Sequence, residues 1–153
     1  MEEPQKIYER IKLFFQTKRN FIGKKVLVTA GPTYEAIDPV RFIGNHSSGL
    51  MGIEIARAFA DQGAEVTLVL GPSNISPNRN NINVLPVTSA KEMFDAVMTF
   101  FPKTDIAVLS AAVADFRPEI VADQKIKKNP DADTITLKLV KTDDILKTIG
   151  SQK

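Results

Sequence analysis

"TAGPTYEAIDPVRFIGNHSSGLMG", Thr29 to Gly52, leads from the end of an apolar strand pattern into the start of an apolar helix pattern. Strand, glycine turn and helix in that order open a nucleotide-binding fold, where a turn of about six residues, G-x-G-x-x-G, presents backbone N–H groups to a pyrophosphate. The connection here is roughly three times as long as that turn needs to be. It is filled with Asp38, Arg41, Asn45, His46, Ser47 and Ser48. What such a loop holds is the question that the rest of the chain has to answer.

Outward from the loop, "KKVLVTAG" reads as a buried strand, and "SGLMGIEIARAFADQGA" as a helix with Met51, Ile55, Ala58 and Phe59 on one face and a stop near Gly63. "EVTLVLGP" follows as a second strand. With a crossover of about thirty residues this is a right-handed βαβ unit, the first half of a doubly wound sheet. "INVLPVT" is a third strand, "SAKEMFDAVMTFFP" a helix capped by Ser89 with Glu92 three residues on, and "DIAVLSAAVADF" a fourth strand. The fold class is therefore α/β, a Rossmann-like doubly wound parallel sheet. From Arg117 the pattern changes: "QKIKKNPDADTITLKLVK" alternates with period two about an "NPDAD" turn, which predicts a two-stranded antiparallel arm. "TDDILKTIGSQK" starts a last short helix with Thr142 as its cap. Ile7, Tyr8, Ile11, Phe14 and Phe15 fall at helical spacing, so residues 1–22 form a leading helix and linker and residues 23–153 the α/β domain. Such a sheet leaves apolar surface and an edge uncovered, and calls for a second subunit or more chain.

Composition narrows the chemistry. At 153 residues, 43% hydrophobic and 25% charged, the chain suits one globular domain. Twenty basic against 18 acidic residues leave a formal charge of +2, too little to point to nucleic acid or a membrane surface. Without cysteine and with one histidine there is no disulfide, thiolate nucleophile or histidine metal cluster, so carboxylates, amides, hydroxyls, lysines and arginines must serve. The N-terminus is too charged for a signal peptide and no apolar run reaches a membrane span, which makes the cytoplasm the expected location.

Three clusters carry candidate chemistry. Ser47, Ser48 and the N–H groups around Gly49 would sit at a helix N-terminus, a seat for phosphate, unless Ser48 is only an N-cap. Asn45 beside them can donate and accept, or be a turn residue; Arg41 could meet an anion, or form an ion pair with Asp38; His46 reads as a loop residue. "SAAVADF", Ser110 to Phe116, lies at the carboxyl end of the fourth strand, where open α/β sheets bind ligands, and would place Asp115 for a ribose, a base or magnesium, or as a cap. Lys125, Lys127 and Lys128 could lay two ammonium groups over a polyphosphate, or simply protect an edge strand.

Taken together, the long loop, "SAAVADFRP", "KIKK" and "KTDDIL" resemble phosphopantothenoylcysteine synthetase of bacterial coenzyme A biosynthesis, over about Gly23 to Leu146. "IGKKVLVTAG" also resembles the junction to a preceding flavin-dependent decarboxylase in bifunctional members. The resemblance implies a cytoplasmic, homodimeric ligase using magnesium and CTP. CTP activates 4'-phosphopantothenate as an acyl-cytidylate, and L-cysteine then displaces CMP. It implies that Asn45 handles the acyl-cytidylate, and that Arg41 and Ala111 belong to the substrate site and dimer contact, next to Ser47, Ser48 and Gly49. It gives Gly31, Asp115, Lys125 and the Lys141, Thr142, Asp143, Asp144 turn to CTP, with Lys125 on a closing flap and the antiparallel arm reaching the second subunit. Leu50 stands where the family usually has lysine, and the family's nucleotide pocket is completed by strands beyond residue 153. Two other readings stay open: an NAD(P)-dependent Rossmann oxidoreductase, against which the missing glycine turn counts, and a non-catalytic binding or dimerisation module.

Overall fold

Lys25–Ala30, strand β1, is apolar but for Lys25 and Thr29, and Val26 to Ala30 are all buried, as a strand covered on both faces must be. It lies inside the sheet in a computed structural model that describes residues 3–6, 20–127 and 134–152. Along the chain follow β2 (Tyr34–Ala36), β3 (Phe42–Gly44), helix α1 (Leu50–Asp61), β4 (Glu65–Leu70), β5 (Ile82–Pro86), helix α2 (Ala90–Phe100), β6 (Ile106–Leu109), β7 (Phe116–Pro118), β8 (Leu139–Lys141) and helix α3 (Ile145–Gly150). The main sheet has the order β5-β4-β1-β6 and every pair in it is parallel. Alternate β1 side chains feed two cores. Val26, Val28 and Ala30 meet Ile53, Ala56 and Ala60 of α1. On the other face Leu27 joins Met93 and Val97 of α2 and Ile145 and Ile149 of α3. Helices on both faces make the sheet doubly wound, as the sequence predicts.

The buried face of α1 is only partly the expected one. Ile55 and Phe59 pack half-buried against the core, but Met51 is 66% exposed and Ala58 is also exposed, whereas Gly52, Ile53, Ala56 and Ala60 are buried. The innermost stripe is shifted because the helix uses small side chains to approach the sheet. A Cβ on Gly52 would stand 2.5 Å from both Ala30 Cβ and Ser110 Oγ. Helix α2 has the expected cap: Ser89 accepts from the Glu92 N–H, and Glu92 reaches back to the Ser89 N–H. Helix α3 is capped by Asp144, which accepts from the Lys147 N–H at 2.8 Å. Thr142 is not the cap; its hydroxyl donates to the Ala114 carbonyl at 2.7 Å.

Two antiparallel pairs complete the chain. β2 and β3 form a hairpin inside the Thr29–Gly52 connection, with Tyr34 stacked on Phe42 at 4.0 Å between ring centres. The arm pairs β7 with β8, Phe116 opposite Lys141. Its ladder thus begins earlier than the lysine stretch, and the described residues 124–127 and 134–138 are not in strands. The whole "NPDAD" turn, Lys128 and most of the leading helix fall outside the described residues.

Candidate functional site

Gly31, at the end of β1, and Gly49, at the start of α1, both have positive φ, +80° and +77°. A Cβ on Gly31 would meet the Gly71 carbonyl oxygen at 3.0 Å, one on Gly49 the Gly31 nitrogen at 3.1 Å, and one on Gly71 the Pro32 oxygen at 1.8 Å. These glycines let the ends of β1 and β4 and the start of α1 touch backbone to backbone. Gly52 likewise lets α1 pack directly against β1, and the long loop runs between Gly31 and Gly49.

The insertion is fastened by buried polar groups. Thr33 is fully buried, and its hydroxyl accepts from the Ala114 N–H at 2.9 Å. Glu35, also buried, accepts from the Ala90 N–H at 2.8 Å, placing a carboxylate at the N-terminus of α2. Asp38 accepts from the Val40 and Arg41 N–H groups, from the Arg41 guanidinium at 3.0 and 2.6 Å, and from the Ile126 N–H at 3.1 Å. The Arg41 guanidinium, helped by those N–H groups, holds the Asp38 carboxyl far below its ordinary range despite the opposing cost of desolvation. Arg41 also donates to the Ile126 carbonyl, so it is the structural partner of Asp38 and a tie to the arm.

Beyond Asp38 the loop turns outward. Asn45 is exposed, and its side-chain amide donates to the Ala112 and Val113 carbonyls at 3.3 and 3.1 Å. Ser48 is not the N-cap of α1; Gly49 is, without side-chain help. The Ser47 and Ser48 hydroxyls instead accept from the Gly49 and Leu50 N–H groups at 3.2 and 3.3 Å. Two amides of the expected phosphate seat are thus engaged by serine hydroxyls of the same loop. Leu50 is half exposed at the first turn and His46 is exposed.

A cleft of about 640 Å³ opens at the carboxyl end of β6. Thr29, Ala111, Val113 and Asp115 form one wall, and Lys141, Thr142, Asp143 and Asp144 another. Leu109, Phe116, Ile145 and Leu146 complete the lining. This is where a doubly wound sheet binds its ligand. A hollow of about 530 Å³ lies at the opposite ends of the strands, between Lys25, Glu65, Asn81 and Lys103, away from every candidate residue. The structure therefore brings together Ala111, Asp115 and the Lys141–Asp144 turn. It links Asn45 to that cleft through the Val113 carbonyl. Lys125, Arg41, Ser47, Ser48, Gly49 and Gly31 do not line it. Lys125 is exposed next to Ile126, which is pinned to Asp38 and Arg41. Thr29, Leu109, Val113, Phe116, Ile145 and Leu146 of the lining were not named as site residues from the sequence, although Val113 and Phe116 lie within "SAAVADF" and Ile145 and Leu146 within "KTDDIL"; Thr29 and Leu109 could have been marked only by their place at strand ends.

Among the described residues no three His, Cys, Asp or Glu side chains gather as a metal site, and no helix is long and apolar enough to cross a membrane.

Residues 21–153 match the family of the DNA/pantothenate metabolism flavoprotein C-terminal domain. The coenzyme A biosynthesis bifunctional protein CoaBC of Haemophilus influenzae is 48% identical over 153 residues, all of this chain and 38% of that protein. The chain thus spans about two-fifths of the length of that relative. A crystal structure of the C-terminal domain of a CoaBC protein superposes with a TM-score of 0.76 at 41% identity, over 90% of this chain and 62% of that one. A Cab2 variant in complex with phosphopantothenate-cysteine shares the fold, with a TM-score of 0.65 at 22% identity, over 92% of this chain and 66% of that one.

Proposed function

The chain belongs to the family of the DNA/pantothenate metabolism flavoprotein C-terminal domain, and from that premise we propose that it carries most of the site of a phosphopantothenate–cysteine ligase. One observation supports this above the others: the Ala111, Asp115 and Lys141–Asp144 residues, far apart in sequence, share one cleft at the ligand-binding end of the sheet. The 48% identity to a bifunctional coenzyme A biosynthesis protein agrees with it.

In this reading CTP occupies the cleft, and 4'-phosphopantothenate lies along the Asn45–Gly49 loop with its phosphate at the α1 N-terminus. A carboxylate oxygen of the acid attacks the α-phosphorus of CTP, the bond to pyrophosphate breaks, and an acyl-cytidylate forms. The cysteine amine then attacks the acyl carbon, CMP leaves, and the amine proton passes to solvent. Asn45, a neutral amide beside the cleft wall, suits the carbonyl under attack, and Lys125, which lies outside the cleft lining, would meet the charge on the leaving pyrophosphate only with the arm closed over the cleft. Magnesium, when bound, would neutralise triphosphate oxygens. Asp115 and Asp143 are the cleft carboxylates suited to it, since magnesium takes one or two carboxylates plus substrate phosphates. A second subunit meeting the arm, a linked flavin-dependent decarboxylase and a cytoplasmic setting belong to the same reading.

The test is a full-length protein carrying this chain with Asn45→Asp. It should release pyrophosphate in a first turnover with CTP and phosphopantothenate but fail to pass the acyl group to cysteine. Normal product formation would remove Asn45 from the mechanism, and pyrophosphate release without phosphopantothenate would remove the ligase reading.

A further inference from the structure

Past Leu109 the fourth parallel strand ends, and Ser110 to Asp115 continue as a loop whose amides the β1–β6 ladder no longer serves in full. Two buried threonines from the β1 side replace it. Thr29 Oγ1 accepts from the Ser110 and Ala111 N–H groups at 3.2 and 3.3 Å, and Thr33 Oγ1 from the Ala114 N–H at 2.9 Å. From the opposite side Thr142 donates its hydroxyl to the Ala114 carbonyl at 2.7 Å and its N–H to the Asp115 carbonyl at 3.0 Å. Ala114, itself buried, is therefore held at both its polar groups by threonine hydroxyls, one from each half of the site. Thr33 belongs to the long loop that bears Asn45. Thr142 belongs to the cleft wall that faces Asp115.

We propose that Thr33 is a positioning residue for the nucleotide side of the site, fixing Asp115 and the Lys141–Asp144 wall through the Ala114 peptide without touching the nucleotide. The inference rests on the reading of the cleft as a nucleotide site. Its physical basis is the cost of leaving the Ala114 N–H buried and unpaired: the segment would have to shift to find another acceptor, and Asp115 is the next residue.

Thr33→Val keeps the volume and removes the acceptor, while Thr33→Ser restores it. Two readouts on this chain, by amide NMR, separate positioning from bulk stability. Amide hydrogen exchange at Ala114 and Asp115 should speed up in Thr33→Val and return to the parent rate in Thr33→Ser. In a CTP titration the half-shift concentration at Asp115 and Thr142 should rise about tenfold in Thr33→Val, a loss of about 1.4 kcal/mol, while shifts caused by phosphopantothenate at Ser47 to Leu50 keep their midpoint. Unchanged exchange at Ala114 would overturn the clamp whatever the ligand. Faster exchange with an unchanged CTP midpoint would overturn the positioning role alone. Absence of any CTP shift at these amides in the parent chain would overturn the nucleotide reading, and the role with it.

Discussion

The two regions that flank the cleft reverse their appearance in the sequence. The Thr29–Gly52 connection looks like an irregular polar loop, yet it buries Thr33, Glu35 and Asp38 to 3% exposure or less, each on a backbone amide of a different segment. The arm around β7 and β8 looks regular, with strict alternation, yet Ile120 is 79%, Val121 50% and Ile135 59% exposed. Buried polar groups with full partners fix a loop as firmly as a core fixes a helix, because any displacement leaves them unpaired. Alternating apolar residues with nothing to cover them fix little.

The sharpest way to break this contrast is at Gly71, whose Cβ would fall 1.8 Å from the Pro32 carbonyl oxygen. Backbone cannot yield as a side chain can, so Gly71→Ala should cost about 3 kcal/mol or more and lower the thermal midpoint by roughly 6 to 12 °C. Gly150→Ala, which meets nothing within 4 Å, is the matched control and should not lower it. Equal behaviour of the two in thermal melts would mean that the loop end is not held as described.

Next comes Asp38. Its carboxyl sits below the ordinary 3.8 because Arg41 and three N–H groups bind the charged form. A lowered folded value stabilises the chain above the unfolded value, and that contribution fades as pH falls from about 4 through the lowered value. Asp61 and Asp105 are lowered too, by Arg79 and by the Lys25 N–H, so the parent chain should lose stability on acidification for several reasons. Asp38→Asn should be less stable than the parent at pH 7, and the gap should narrow by pH 3 in urea melts. A gap that stays constant would show that the charge of Asp38 does not hold the loop.

The smallest effect on stability should come from the arm. If its apolar residues await a second subunit, the chain should scatter light as a dimer, and Ile120→Ser with Ile135→Ser should make it a monomer at nearly the same thermal midpoint. A monomeric parent would leave the arm without that role.

What could be read ahead follows from the same contrast. The four strands of the main sheet, the two-sided cover and the Ser89–Glu92 cap were legible because periodicity and capping are local signals. The inner face of α1 was read only in part, at Ile55 and Phe59, because Gly52, Ala56 and Ala60 announce close approach and not hydrophobicity. The β2–β3 hairpin was missed because each strand has three residues and takes its hold from long-range partners such as Thr88, whose carbonyl accepts from the Tyr34 N–H. Asp115 was legible from its place at the carboxyl end of the fourth strand, Ala111 and the Lys141–Asp144 turn through family resemblance, and the cleft that unites them is a tertiary fact.

The central claim is that one half of the site, the Asn45–Gly49 loop, takes the phosphorylated acid, and the other, the cleft at Asp115, takes the nucleotide. Amide NMR of this chain titrated separately with 4'-phosphopantothenate and with CTP tests it directly. The account predicts that phosphopantothenate binds the more tightly and shifts Asn45 to Leu50, while CTP binds weakly and shifts Ala111 to Asp115 and Lys141 to Leu146. Tight CTP binding at Ser47 to Leu50 with no response to phosphopantothenate would contradict it.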